Sequence, residues 1–447
     1  MYNNYVLGEF MESIKNIIFN KKNLILFFFE ITFFQIFLLR ILFKESEYFY
    51  YRTNLLVMLI NTLWVFLIIG HDIVHKKVNY KNKRMFFMLL FLAIATIGWL
   101  ISLPSHGFYF AYLHELVKLY EFGYIFYSYA FEVNIEEIKK TVNILAYSFC
   151  AYVLTYSIIS FVLYISGRTE FTTPNGVVQT MYGNDNPVGH KVRFKGLWTW
   201  FTGVGLSCYP AICLHLYLIE NGKNKIIHGL CILLYTYLIY LSDTRSALLI
   251  LAFIVLCYFL FLLTKKYSIK KVLHFGLILG IVGLFALIAI KFIRNQALLN
   301  EFLTNPIDTI VTLSSGRIQM AIGVIKHLKT TWLFGEGYTN NGFILTNYGN
   351  LHPHNVIIAA LLYTGIPGTI VFIIFGILNL KKMFSNLKYI ISNNIRWLFV
   401  LTLCVVIGSM FEIEILGARS PNMATLFFYL CLGICTNTRF KKENSNI

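Results

Sequence analysis

Charge is what this sequence lacks most. Of its 447 residues only 13% are Asp, Glu, Lys or Arg, while 57% are hydrophobic and the mean hydropathy is +0.65. Soluble domains carry about a quarter charged residues and about half apolar ones, so a soluble fold is excluded and an integral membrane protein is implied. Acidic residues are scarcer still, 21 against 38 basic ones, for a net charge of +17. In a soluble chain that excess would raise nucleic acid as a partner. Here the bias of Lys and Arg towards cytoplasmic loops explains it more simply.

Cysteine is missing from the loops. All eight (Cys150, Cys208, Cys213, Cys231, Cys257, Cys404, Cys431 and Cys435) fall inside or at the ends of apolar runs, so none has a zinc spacing in a loop, and packed or lipid-facing thiols are expected. The first apolar run carries Glu30 and Arg40 and has no small-residue cleavage site, which reads as a retained first span rather than a signal peptide. There is no internal repeat, no low-complexity linker and no phosphate-binding loop of recognised spacing. Residues 1–447 therefore read as one polytopic domain.

What is present is a series of membrane-length runs. A bilayer core of roughly 30 Å needs about 20 apolar residues per helix. That places spans near 24–43, 54–71, 85–103, 142–166, 197–217, 226–241, 246–264, 273–292, 366–380 and 397–411, with a short one near 422–437. The aromatic stretch 108–131 is interrupted by Glu115, Lys118 and Glu121, and such a stripe belongs against protein because charge is costly towards lipid. The total is about twelve transmembrane helices, an all-α fold.

With both termini cytoplasmic, 23 of the Lys and Arg residues lie inside, 13 outside, and Arg40 and Lys118 fall within spans. The two residue types split. Of 27 lysines 20 lie inside, whereas seven of 11 arginines lie outside: Arg52, Arg168, Arg193, Arg245, Arg294, Arg317 and Arg419. Arginine offers a planar five-donor fork suited to phosphate and carboxylate, so the set suggests an anionic ligand on the outer face. Any one of them could instead pair with an acid or anchor at headgroups. Two outer loops are long, about 167–196 and 293–354, and loops of that length are often functional. The second holds an amphipathic helix near 317–330.

Four stretches could carry chemistry. In "LHPHNVIIAALLYTGIPG" (351–368), Pro353 keeps His352 extended and Asn355 is a natural N-cap for a helix beginning at Val356. His354 then sits at a helix entrance, where partial positive charge favours an anion; an interfacial histidine can equally be a satisfied polar residue. Gly365 and Gly368, with Pro367 between them, would break or kink the helix. In "YLSDTRSALLILAF" (240–253), Asp243 and Arg245 occupy a tight turn between two spans, either as a surface pair of little consequence or as an arginine poised for a phosphate. "SSGRIQMAIGVIKHLKTTWLFGEGYTNNGF" (314–343) starts a helix at Arg317 and follows it with a glycine turn. "VRFKGLWTWFTGVG" (192–205) sets Arg193 and Lys195 before Trp198 and Trp200, which an aromatic belt or a sugar site would both explain. "HDIVH" (71–75) has the i, i+4 spacing of a metal pair but lacks further ligands.

Taken in order, these elements resemble the O-antigen ligase and O-antigen polymerase family of bacterial membrane glycosyltransferases. The resemblance rests on Thr244-Arg245-Ser246-Ala247 at the start of a middle span, on Gly316-Arg317 opening a long outer loop, and on the turn "WLFGEG" (332–337). It ends with His354-Asn355 followed by Gly365 and Gly368, and covers about residues 190–370. The segment after Arg193 departs from the family pattern, and Trp332 replaces the usual proline of the turn.

The resemblance implies a GT-C-like, metal-independent glycosyltransferase with no cofactor, acting on a glycan carried by undecaprenyl diphosphate at the outer face of the cell membrane. His354 would be the general base, Arg245 and Arg317 would hold the diphosphate, and Asp243 would orient Arg245. Arg193, Lys195 and Asn355 would complete substrate binding. A polymerase of repeat units in capsule or O-antigen-type synthesis is the favoured expectation, with a chain-length regulator and a flippase as partners and no nucleic acid. Ligase-type transfer to another acceptor is the alternative. A lipid-linked oligosaccharide flippase would predict internal repeats and mid-membrane charges.

Overall fold

The computed structural model describes residues 17–33, 48–172, 178–184, 192–198, 201–272, 317–337, 354–411 and 423–437, Gly107, Tyr109 and Lys265 excepted, together with a few positions between these ranges. Arg40, Trp200, most of the 273–292 run, Arg294, Gly316, His352 and Arg419 lie outside the described residues. Helices come in the order α1 (Lys21–Phe33), α2 (Tyr48–Val74), α3 (Lys83–His106), α4 (Phe110–Tyr120), a π-helical turn (Glu121–Phe126), α5 (Tyr127–Glu132) and α6 (Ile135–Ile165). Beyond two small hairpins come α7 (Phe201–Glu220), α8 (Lys225–Ser242), α9 (Arg245–Leu263), α10 (Arg317–Thr331), α11 (Val356–Ser385), α12 (Leu387–Ser392), α13 (Arg396–Ser409) and α14 (Met423–Thr436).

Among the described residues seven helices (α2, α3, α6, α7, α8, α9 and α11) are long and apolar enough to cross a membrane, and α13 and the Phe427–Thr436 part of α14 are shorter apolar helices. The chain is a mostly helical, multi-pass membrane protein. Asparagines start three of the helices. Asn134 accepts from the Glu137 N–H at 2.9 Å, Asn224 from Ile226 and Ile227, and Asn355 from Ile357 and Ile358, each satisfying amides that have no partner in a first turn.

The centre of the bundle is α7, where Cys208, Tyr209, Ala211, Cys213, Leu214 and Tyr217 are fully buried against α6, α8, α9 and α13. All eight cysteines are buried free thiols, the packed reading rather than the lipid-facing one. A second layer is α3 along α11, with the Phe91 and Phe372 rings 5.2 Å apart. Direction follows from contacts. Gly205, in the first turn of α7, lies against Ala247 and Thr244 at the start of α9. Trp397, at the start of α13, packs on Tyr258 and Phe261 near the end of α9, and the Asn355 side chain donates to the Met410 carbonyl just past α13 at 3.1 Å. The starts of α7, α9 and α11 and the end of α13 therefore share one end of the bundle.

The charged stripe of 108–131 turns inward as expected. Lys118 pairs with Glu115 at 2.8 Å, and fully buried Glu121 accepts from Asn61 Nδ2 at 2.9 Å. The backbone there is not a regular helix but a six-residue π turn, all of it buried, the kind of local widening that polar residues inside membranes tend to accompany. In "HDIVH" the Asp72 carboxylate is committed to packing: it pairs with buried Lys21 at 2.7 Å and accepts from the Tyr124 hydroxyl at 2.8 Å.

The loop at 167–196 forms two antiparallel hairpins that sequence reading left irregular. β1 (Glu170–Thr172) pairs with β2 (Val178–Thr180), and β3 (Tyr182–Asn184) with β4 (Val192–Phe194). Three-residue strands are too short for an alternating pattern to register. Buried Met181 ties them together, donating to the Thr169 carbonyl and accepting from the N–H groups of Lys195 and Gly196.

At the other end of the bundle Arg396 Nε lies 2.9 Å from the buried Glu220 carboxylate, joining α13 to α7. Removing one partner of a buried pair leaves an uncompensated charge. Because Arg396 keeps about a quarter of its side-chain exposure, Arg396→Met should cost about 2 kcal/mol, below the full range for such pairs. The thermal midpoint in detergent should recover in the double variant with Glu220→Gln; a double variant no better than the single one would refute the pairing.

Candidate active site

The turn at 242–245 is built from one left-handed residue. Asp243 closes α8 with φ 46° and ψ 34°, its N–H bonded to the Tyr240 carbonyl at 3.1 Å. Asp tolerates this region better than most side chains do. Thr244 is extended, accepts from the Ser242 hydroxyl at 3.1 Å, and is the N-cap from which α9 starts. Arg245 is the first residue of α9 and is exposed. A guanidinium at the positive end of a 19-residue helix is an anion-binding arrangement twice over. The small residue at 247 has a packing reason, since Ala247 receives Gly205 of α7, and this contact fixes where the Arg245 turn emerges.

His354 immediately precedes the N-cap of α11 and is half-buried. Asn355 adopts the extended cap conformation (φ −153°, ψ 129°), as read from sequence. Its side chain is spent on structure: Oδ1 accepts from Ile357 and Ile358, and Nδ2 donates to the Met410 carbonyl. The cap therefore ties the residue after His354 to the end of α13.

Arg317 opens α10 and is exposed there. The turn at the far end of α10 joins it to the His354 helix. Gly365 has φ 65° and ψ −167°, a break inside α11, and the 332–337 turn enters that break. The Glu336 N–H donates to the Leu362 carbonyl at 2.7 Å, and the Ile366 N–H donates to the Trp332 carbonyl at 2.8 Å. Backbone groups freed by the break are thus satisfied by the turn, as buried ones must be. The glycines are steric necessities. A Cβ on Gly335 would meet the Thr364 nitrogen at 2.7 Å, one on Gly337 the Gly98 carbonyl oxygen at 2.9 Å, and one on Gly365 the Trp332 carbonyl oxygen at 2.5 Å. Gly335 and Gly337 also have positive φ, 67° and 72°. The turn is wedged between α3 and α11.

Arg193 lies on β4, opposite Gly183. Its neighbour Phe194 packs on Tyr164, which in turn packs on Tyr237 of α8, and β4 rests on α8. Lys195 follows, held through its N–H by Met181. The same end of the bundle thus gathers Arg193 and Lys195 from the hairpins, Asp243 and Arg245 from the α8–α9 turn, and His354 and Asn355 from α11; Arg317 starts the helix whose far end docks on α11 through the 332–337 turn. Chemically this is a set of cations and one imidazole beside helix starts, suited to an anionic leaving group and a hydroxyl to be deprotonated.

Residues 230–373 match the O-antigen ligase family. The match supports assignment to the O-antigen ligase/polymerase family and, with it, glycan transfer of that general type at a membrane. No curated protein matches the chain. The O-antigen ligase stretch takes in Asp243, Arg245, Arg317, the 332–337 turn, His354, Asn355, Gly365 and Gly368, while Arg193 and Lys195 precede it.

Sequence reading missed a contact inside this O-antigen ligase stretch. His327 Nε2, on the inward side of α10, pairs with the Glu336 carboxylate in the turn. The signal was there: His327 lies three residues after buried Val324, on the same face as Met320, so a polar partner was required. Gly365→Ala should lower stability by at least about 2 kcal/mol, from a glycine-only conformation and a clash with backbone. Gly376→Ala, in the same helix with nothing within 4 Å of its Cβ position, should change it by less than about 1 kcal/mol, on the stabilising side. Thermal unfolding of the two variants in one detergent checks this contrast, and equal effects would refute the docking.

Proposed function

We propose that the chain polymerises lipid-linked oligosaccharide repeat units. The growing glycan moves from undecaprenyl diphosphate to a new repeat unit in capsule or O-antigen-type synthesis. The observation that carries the reading is the mechanical link between Arg317 and His354: the helix that Arg317 opens is locked by its turn into the break of the helix that His354 starts. Transfer requires a leaving-group cation and a base in a fixed relation, and docking the far end of the Arg317 helix on the helix that follows His354 supports that role for the two.

In this reading His354 takes the proton from the acceptor hydroxyl, the role of a general base. The acceptor oxygen then bonds to the anomeric carbon as the bond to the diphosphate oxygen breaks, and the electron pair leaves with the diphosphate. Arg245 and Arg317 bind that diphosphate and stabilise its developing charge. Asp243 orients Arg245, and Arg193 and Lys195 add positive charge above the α8–α9 turn. Asn355 positions His354. The finer architecture goes with this reading: about twelve spans in a GT-C-like arrangement, termini cytoplasmic, the site on the outer face of a bacterial cell membrane, and a flippase and a chain-length regulator as partners.

The test is the size profile of lipid-linked glycan in the native host with the gene intact, deleted, or carrying His354→Ala or Arg245→Lys. Single repeat units should accumulate on deletion and with His354→Ala, at a transfer rate lower by on the order of 100-fold or more. Arg245→Lys should be intermediate, because the charge remains and the bidentate fork is lost. Long lipid-linked chains that never reach a final acceptor would make the protein a ligase instead. Repeat units trapped on the inner leaflet, with His354→Ala like wild type, would overturn the enzyme reading.

A further inference from the structure

The exposed face of α10 is not the face of a solvated loop helix. Inward it buries Met320, Gly323 and Val324. Outward, at helical spacing, it shows Ile322 (44% exposed) and Ile325 (55%), followed by Trp332 (54%) and Leu333 (41%) in the turn. Lys326 and Lys329 stand exposed among them. Apolar side chains in a stripe with lysines beside them, ending in a tryptophan, are the composition of a helix that lies in a membrane interface.

The position of α10 in the fold points the same way. On α11 the exposed apolar residues begin only below the break, at Ile366, Ile370, Ile373 and Ile377, spaced as the lipid-facing stripe of a span. Above it, from Val356 to Gly365, no residue is exposed. The 20 residues from Ile366 to Ser385 make about 30 Å of helix, the thickness of the hydrocarbon core. Trp332 is bonded through its carbonyl to Ile366, the uppermost residue of that stripe. The lipid-facing surface of α11 therefore runs without interruption onto Trp332, Leu333 and α10.

We propose that α10 and its turn form an interfacial anchor that docks on the anionic phospholipid surface at the site end of the membrane. Ile322, Ile325, Trp332 and Leu333 sit at the acyl boundary, and Lys326 and Lys329 meet the headgroup phosphates. Basic side chains near an anionic surface contribute about fivefold each to membrane affinity. Arg317 is not part of this face. Exposed at the first residue of the helix and seven residues before buried Val324, it lies beside that buried row and outside the apolar stripe.

The test uses the full chain in nanodiscs, with a nitroxide on Ile322→Cys, Ile325→Cys or, as a marker of the headgroup level, Lys326→Cys. The native cysteines are all buried, and labelled wild type measures their background. In discs containing phosphatidylglycerol, the labels at 322 and 325 should collide more with oxygen than with a water-soluble nickel chelate. In pure phosphatidylcholine the oxygen-to-nickel ratio should fall severalfold. Lys326→Gln with Lys329→Gln should reproduce that fall at position 322 in the anionic discs. Nickel access exceeding oxygen access in both disc types would mean a water-facing helix and overturn the proposal. So would shielding from both reagents, the mark of a protein partner, or a ratio indifferent to lipid charge and to the lysines.

Discussion

One backbone exchange holds the site end together. A membrane helix that breaks leaves N–H and C=O groups that lipid cannot satisfy, and each would cost several kcal/mol. Here the break at Gly365 is filled by a turn from another part of the chain, which takes the Leu362 carbonyl and supplies the Trp332 carbonyl to Ile366. The arrangement is self-enforcing. Without the turn the break would be an unsatisfied defect, and without the break the turn would have nowhere to dock. Three glycines with positive φ allow the two backbones to approach this closely, and the docking of the α10 turn on α11 depends on them.

The rest of the bundle divides its polar groups accordingly. Away from the site, carboxylates and amines are buried and answered by neighbours: Lys21 by Asp72, Glu121 by Asn61, Glu220 by Arg396. Such pairs fix how helices meet more than they add stability. At the site end the arginines at 245 and 317 are exposed at helix starts instead. The first kind of charge fastens helices to one another; the second faces outward at a helix mouth.

Much of this was legible in the residues. Hydropathy located the seven membrane-length helices of the described residues because lipid demands long apolar helices, and Asn355 announced its cap because a first turn always lacks partners for its amides. Gly365, Pro367 and Gly368 announced a break. What the pattern could not convey was why the glycines in "WLFGEG" are needed, since the sequence shows only a tight turn. Their reason lies on α3 and α11, far away in sequence, and steric exclusion between distant backbones leaves no periodic trace. The His327–Glu336 pair and the short hairpins under Arg193 were hidden for the same reason: each needs a partner that only the fold supplies.

The clamp also isolates a segment. The chain from 338 to 353 begins two residues after Glu336, which is bonded to Leu362, and ends just before His354 and Asn355, the latter bonded to Met410. Both flanks of that stretch thus carry bonds of their own. Adding residues between two fixed points is cheap, about 0.6 kcal/mol per doubling of their number. The number and kind of residues between these anchors can therefore change without touching the bonds that frame His354.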